Sequence, residues 1–500
     1  MKNTFLLYAV SLFLLCSCNS NKKTRLTINK LFDNGMILQQ NQQIPVWGKA
    51  SSGSKITVLL DSFAVTAKTN KNGTWKTYLP KQQIGNPKTL TIKTKDTSIV
   101  FNDILIGEVW LASGQSNMHL DMHRTLNGDA VAEKASNSNI RIFNMKPTYP
   151  TGKGGIHTIE ELKKLNENNY FSTNGWQKVT PNSVKYFSAV AYYFANKLQQ
   201  DLNVPIGIIH NAVPGSPTES WISKKVLLAN KELSKLVTTP WQENEKNGVG
   251  KILLDIAKKQ VSLSKDPLQK HPWTPYFCYE NGIKSIKGFA IKGVIWYQGE
   301  SNSGNTTMHE ELLKTMVASW RKDWKQKQLP FLYVQLTSRE DRPTWPEFRD
   351  SQRRLLDKIP NSGMVIISDV GDRQDTHAKN KKPVGERLAI LAEGKVYHKQ
   401  QYYESPLFDK MEILNNKAII SFKGATKGLK TSNNKTVNGF EIGIDTIFKP
   451  IKAIIVNDNI EINIPEKYKQ NTKIRYAWKP YTEANLVNNL GLPISTFKTY

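Results

Sequence analysis

Ser116 stands in Gly114-Gln115-Ser116-Asn117-Met118, directly after residues 104–112, an apolar run that reads as a buried strand ending in small residues. A serine at the carboxyl end of such a strand, just before a turn, projects its hydroxyl into the crevice where open α/β sheets bind ligands. A helix following it would turn its first N–H groups toward negative charge forming beside Ser116. The same position also suits a serine that merely caps the helix. Two later clusters bear on that choice. Trp296-Tyr297-Gln298-Gly299-Glu300-Ser301-Asn302 closes a second apolar strand, read over residues 288–295. Asp375-Thr376-His377 follows a third, read over residues 364–369. A histidine can take the serine proton, and a carboxylate can orient and stabilise the imidazolium that results. The chain order is therefore serine, side-chain amides, aspartate and histidine.

These residues resemble the SGNH-type carbohydrate esterases, specifically the sialate O-acetylesterase group, whose marks are GQSNM, WYQGE-x-N and a late Asp-Ile-His-Pro. Met36-Ile37-Leu38-Gln39-Gln40 and Pro45-Val46-Trp47-Gly48 are similar to the family's N-terminal β-domain, and Gly439-Phe440-Glu441-Ile442 and Asn489-Leu490-Gly491-Leu492-Pro493 to its C-terminal segment. The resemblance covers nearly the whole chain after residue 25. It implies Ser116 as nucleophile, His377 as general base and then acid, and Asp375 as the orienting carboxylate. Asp372 or Asp369 could orient instead, because the commoner Asp-x-x-His spacing of the wider superfamily falls on Gln374 here, and Ala378 replaces the family's proline. An acetyl oxyanion needs pre-aimed N–H donors. The resemblance supplies the Ser116 amide and the Gly215 amide, the latter from residues 211–221, which look like the family's Gly-Gly-Thr-Pro-x-x-x-Trp loop. Pro214 takes the place of the first glycine and has no N–H to offer. A side-chain amide from Gln298 or Asn302 is the third donor, with Gln298 preferred. Glu300 holds this loop, a substrate hydroxyl, or the fold alone; Gln115, Asn117 and Trp296 are substrate or loop residues.

The amino terminus reads as a targeting segment. Lys2 gives the positive start, residues 5–15 a short apolar run, and Leu15-Cys16-Ser17-Cys18 a lipobox with Cys18 as the lipidated first residue of the mature chain. A plain signal peptide cleaved elsewhere is the alternative. Lipidation would anchor a soluble catalytic body to a membrane surface, here the periplasmic face of a Gram-negative outer membrane. Of the three cysteines, Cys278 alone then remains, so no internal disulfide is expected and Cys278 reads as a buried structural thiol. Net charge is +27. Its lysines are scattered, with Lys379, Lys381 and Lys382 among the few dense groups, and no zinc-finger or RNA-binding signature accompanies them. They read as a solvated surface, with no nucleic-acid partner; protein partners are unknown. His119 and His123 are four apart, as two metal ligands on a helix would be, but no third ligand is evident. No metal or cofactor is expected, and the partner is an acetylated sugar.

The elements that must position these groups change character along the chain. Residues 25–102 alternate short β-rich runs (54–60 and 88–93) with turns such as Asn70-Lys71-Asn72-Gly73, which suggests a small β-sandwich. Residues 103–398 alternate strands with helices: further strands at 204–209 and 331–336, and apolar residues at helical spacing over 183–202 and from Met308 to Trp324. Residues 399–500 return to β-type runs, such as 418–422 and 451–456. The expected architecture is α/β: a three-layer SGNH-hydrolase-like domain with a parallel sheet, flanked by N- and C-terminal β-sandwich-type regions, after a signal segment at 1–18. The expected activity is removal of O-acetyl groups from sugars, O-acetylated sialic acid first. Acetylated xylan or pectin oligosaccharides are the alternative substrates, and an inactive carbohydrate-binding lipoprotein, suggested by Pro214 and Ala378, is the alternative class.

Overall fold

The computed structural model describes residues 25–149, 157–167, 169–240, 243, 251–266, 268–425 and 428–499. The lipobox reading at Cys18 lies outside them. Among the described residues no helix is long and apolar enough to cross a membrane.

One strand organises the molecule. β1 (Ser98–Gly114) alternates exposed and half-buried residues over its first third and is buried without a break from Ile104 onward. The first pattern fits an antiparallel sheet with one wet face, the second a parallel strand covered on both faces. Its early part pairs antiparallel with Lys88–Lys93, its middle parallel with Ile37–Gln39, and its end parallel with two core strands. The change of pattern read at 102/103 therefore falls inside a continuous strand.

The core sheet adds β2 (Asn137–Asn144), β3 (Trp176–Val179), β4 (Ile206–Ala212), β5 (Gly293–Tyr297), β6 (Phe331–Val334) and β7 (Ser362–Val365), in the order β3-β2-β4-β1-β5-β6-β7. All neighbours are parallel except the antiparallel edge pair β2–β3. Alternate side chains go to opposite faces. On one face Val109, Leu111, Val294 and Trp296 pack with Met316 and Trp320 of α2 (Thr306–Trp324) and Leu355 of α3 (Trp345–Lys358). On the other, Trp110, Ala112, Ile295 and Tyr297 pack with α1 (Ala189–Leu202) and α4 (Lys382–Lys395). The result is a mixed α/β body with helices against both faces of a large sheet.

Two antiparallel groups sit by the amino ends of these strands: one of Thr27–Ile28, Ile44–Lys49 and Thr74–Leu79, the other of Lys55–Leu60, Phe63–Lys68 and Lys88–Lys93 with the start of β1. They share the core of the first face. After residue 400, two four-stranded sheets and a two-stranded one enclose a separate core that includes Ile420, Ile442, Ile462, Ile474 and Phe497. Arg349 of α3, fully buried, joins them to the body: its guanidinium donates to the carbonyls of Thr337 (3.0 Å), Ala477 (3.0 Å), Lys479 (2.6 Å) and Pro480 (3.3 Å) and to Thr496 Oγ1 (2.9 Å).

The helix expected over 183–202 is two pieces, Pro181–Lys185 and α1. Ser188 breaks it by capping α1 through Ala191 N–H (3.1 Å) while its hydroxyl donates to Met118 O (2.6 Å). The strand expected at 288–295 begins only at Gly293, since Gly288 turns at φ +84.

Candidate active site

Ser116, residues 213–221, residues 298–302 and His377 follow β1, β4, β5 and β7, so all four reach one edge of the sheet, the carboxyl ends of its parallel strands. Gly114 makes the turn after β1: it adopts φ +141, and a Cβ there would lie 2.1 Å from Tyr297 O. That close approach lets Gln115 N–H donate to Tyr297 O at 3.0 Å. The single helical turn Ser116–His119 follows. As its first residue, Ser116 has an N–H with no intrahelical acceptor.

His377 Nε2 lies 2.8 Å from Ser116 Oγ, bridging positions 261 residues apart. Asp375 Oδ1 accepts the His377 backbone N–H at 2.8 Å and stands 3.6 Å from His377 Nδ1. Burial lowers the imidazole's pKa; Asp375 opposes that, and the charges of Lys381, Arg124 and Arg339 add to it. The imidazole is thereby kept neutral, as a base must be. The rival carboxylates are engaged elsewhere. Asp372 accepts the N–H groups of Gln374 and Asp375 (both 2.8 Å), and Asp369 pairs with Arg387 at 2.6 Å.

Asn117 is fully buried and ties the serine turn to the histidine loop, donating to Thr376 O (3.1 Å) and Glu300 Oε1 (2.5 Å) and accepting from Lys381 Nζ (2.5 Å). It stands between an ammonium and a carboxylate. Burial pushes Lys381 down to about 8 against the pull of Glu300 and Asp375, and burial raises Glu300 against its bonds and Lys381. The lysine group at 379–382 is therefore not one solvated surface: Lys379 and Lys382 are exposed, Lys381 is interior. Its place between the His377 loop and the Pro383 helix start was the available signal. Gln115 Oε1 faces the N–H groups of Gly299 (3.5 Å) and Ser301 (3.4 Å), so Gln115, Asn117 and Glu300 all act between loops.

Gln298 and Asn302 differ from expectation. Gln298 Nε2 donates to Asn302 Oδ1 (2.6 Å) and Ser216 O (3.4 Å), and its Oε1 accepts from Thr218 Oγ1 (2.7 Å). Asn302 Nδ2 donates to buried Glu219 (2.9 Å), and its Oδ1 accepts Thr218 N–H (2.9 Å). Both amides lock the loop after β4 to the loop after β5; both of Gln298's amide hydrogens are committed there instead of facing Ser116. Long-range partners of this kind leave no trace in spacing. Gly215 sits on that locked loop at φ +74, with Trp273 where a Cβ would go, and its carbonyl accepts Ser301 Oγ–H at 2.9 Å. The Pro214 carbonyl accepts the Trp273 indole N–H at 2.7 Å. Trp296 touches no solvent: it is buried edge-on between Trp221 and Trp320, each 5.8 Å away, because its strand position points to the α2 face. It supports the loop through Trp221 and lines no substrate surface.

His119 and His123 part company because Met122–Arg124 is a separate 3₁₀ turn. His119 stacks on His210 at 5.8 Å beneath the serine turn, and His123 bonds Lys185 O. Burial keeps both stacked rings neutral, His210 at about 3. Among the described residues no three or more His, Cys, Asp or Glu side chains gather as a metal site. Cys278 is buried, its thiol against Pro272 O and its pKa raised by burial.

Residues 264–392 match the family described as "Carbohydrate esterase, sialic acid-specific acetylesterase". The chain is 26% identical to the sialate O-acetylesterase of Rattus norvegicus, over 78% of this chain and 77% of that protein. It is likewise 26% identical to that of Homo sapiens, over 78% and 75%. Among solved structures it is similar to a carbohydrate acetylesterase from Xanthomonas citri, with 28% identity, a TM-score of 0.77, and coverage of 95% of this chain and 100% of that one.

Proposed function

We propose that this chain, an ester-hydrolysing enzyme similar to the sialate O-acetylesterases, uses Ser116, His377 and Asp375 to remove acetyl groups from an O-acetylated sugar through an acyl-enzyme. The observation that carries this reading is the 2.8 Å contact between Ser116 Oγ and His377 Nε2. Ser116 Oγ attacks the acetyl carbonyl carbon as His377 takes its proton, and Asp375 stabilises the imidazolium. The oxyanion is met by the N–H groups of Ser116 and Gly215, the latter held in place by the Gln298–Thr218–Asn302 lock. Collapse breaks the ester bond, and the departing sugar oxygen takes the proton from His377. Water, deprotonated by His377, then attacks the acetyl-serine and acetate leaves.

The parallel sheet with helices on both faces, its serine after the central strand and its histidine after the last, supports an SGNH-type body for residues 103–398. We read the β-sheets before and after it as flanking units at about 25–102 and 399–500, the first sharing the strand Ser98–Gly114 with the body. Arg124, whose charge acts on His377, favours an anionic sugar, while Arg339 is already paired with Asp341 (2.7 Å); on Arg124 we place O-acetylated sialic acid ahead of acetylated xylan or pectin fragments. Acetate release from these three classes is the test. The protein should act on at least one, fastest on the sialic acid, and Ser116→Ala should abolish release. No release from any acetyl ester would leave the inactive binding protein as the reading.

A further inference from the structure

A cavity of about 410 Å³ lies between the His377 side of the body and the carboxyl-terminal sheets. Glu340 and Arg373 line it from the body, and Phe440, Trp478, Tyr481 and Glu483 from beyond residue 400. The Arg373 guanidinium sits 4.3 Å over the Tyr481 ring and donates to Glu483 (2.6 Å) and Glu340 (3.4 Å), spanning both sides.

The aromatic wall is built, not incidental. Three of its backbone carbonyls, at Ala477, Lys479 and Pro480, point inward to buried Arg349, and Pro480 O also accepts Arg339 N–H at 3.0 Å. Ala477 is held at φ +52, a left-handed conformation rare for a residue with a side chain and found where surroundings over-determine it. With their backbone fixed inward, Trp478 and Tyr481 stay half-exposed. Nothing in the ester cleavage above requires this arrangement.

The cavity adjoins the catalytic loop. Arg373 stands four positions before His377, a span of at most about 14 Å. Arg339 joins the two places directly, its guanidinium donating to Thr376 Oγ1 while its N–H holds Pro480. The charges differ from those beside His377. The cavity carries Glu340, Glu441 and Glu483 against Arg373 and Lys479, so it offers no excess positive charge to a second acid. Aromatic faces flanked by paired donors and acceptors suit an uncharged ring with hydroxyls at its edge.

We propose that this cavity is a saccharide subsite, which takes a neutral sugar next in the chain to the acetylated one, stacked on Trp478, edged by Tyr481 whose ring holds Arg373 in place, and hydrogen-bonded by Arg373, Glu340 and Glu483. The proposal rests on the acetylated-glycan reading and extends it from a monosaccharide to an oligosaccharide. Two arms test it. In the first, binding of xylotetraose and of sialyllactose to Ser116→Ala protein is followed by calorimetry, with and without Trp478→Ala. At least one should bind, and Trp478→Ala should weaken it about tenfold. In the second, Trp478→Ala should raise KM about tenfold for an acetylated oligosaccharide, with kcat/KM for 4-methylumbelliferyl acetate and the melting temperature unchanged. Tyr481→Ser, a half-exposed position, repeats both arms if Trp478→Ala does not fold. Absence of binding at millimolar concentration, binding indifferent to either variant, or an equal loss on both esters would overturn the proposal. If the parent protein cleaves no ester, the catalytic reading fails, while the binding arm still decides the subsite.

Discussion

His377 can accept the Ser116 proton only when neutral, and its surroundings set where that state begins. Burial and three nearby cations lower its pKa while Asp375 alone raises it. The rate should rise with pH through the folded value, so the acid limb of kcat/KM lies below the usual histidine range. Asp375→Asn removes the raising influence: the limb should move further to acid, and kcat should fall on the order of 10²–10⁴ because the imidazole loses its orienting partner. Asp372→Asn should change kcat less than about tenfold, since an asparagine oxygen still accepts the loop N–H groups at 374 and 375. The reverse ranking would move the orienting role to Asp372. Ser116, Asp375 and His377 were legible because each sits in a short motif at a strand end. Lys381, Thr218 and Glu219 were not, because what distinguishes them is burial and partners from distant segments. Gln298 shows the same limit from the other side: its place at a strand end was readable, its commitment to Asn302 and Ser216 was not.

At the scale of elements, strands with unbroken apolar runs were readable because parallel strands covered on both faces need no alternation. The segment over 183–202 was misread as one helix because the Ser188 break comes from a tertiary bond to Met118 O, not from any local breaker. Arg349 is a stronger case. On α3 it looks like one more basic residue of a charged helix, yet it is wholly interior and its surrounding acceptors are four carbonyls and a hydroxyl. Arg349→Met would fill much the same volume and leave those carbonyls without donors. Unsatisfied buried groups cost about 1–3 kcal/mol each, less where they relax. The variant should therefore lose about 2–4 kcal/mol in urea unfolding, with amide hydrogen exchange rising first in residues 477–479. A loss below about 0.5 kcal/mol, the usual range of surface substitutions, would show that the joint between body and carboxyl-terminal sheets is held by other contacts.

The whole molecule has two ends, and β1 runs between them. From Ile104, where its pairing with Lys88–Lys93 ends, to Gly114 it takes ten steps of about 3.3 Å, which separates the amino-terminal sheets from the catalytic edge by about 33 Å. Thr27–Ile28, the first described strand, pairs with Gly48 and Lys49 in the sheet whose Trp47 packs on Phe289, just before β5 begins. The chain therefore enters at the amino ends of the core strands, while Ser116 and His377 lie at the carboxyl ends. We propose a lipid anchor at Cys18, seven positions ahead of Arg25, and the chain between them reaches at most about 25 Å. In this proposal the tether joins the body at the end opposite the catalytic crevice, which leaves the crevice and the Trp478 cavity open to soluble saccharides. Cys18→Ala should move the protein from the membrane to the soluble fraction with kcat/KM on a small acetyl ester unchanged, because the first described strand lies by the amino ends of the core strands and the crevice at their carboxyl ends. Retention on membranes after that substitution would remove the lipidation reading. Asn19 is not the aspartate that holds a lipoprotein at the inner membrane, and Lys22 and Lys23 stand where a surface-export signal would be acidic, so the expected address is the periplasmic face of the outer membrane. Intact cells should then leave a high-molecular-weight acetylated glycan untouched and cleave it only after permeabilisation; deacetylation by intact cells would put the enzyme on the outer surface.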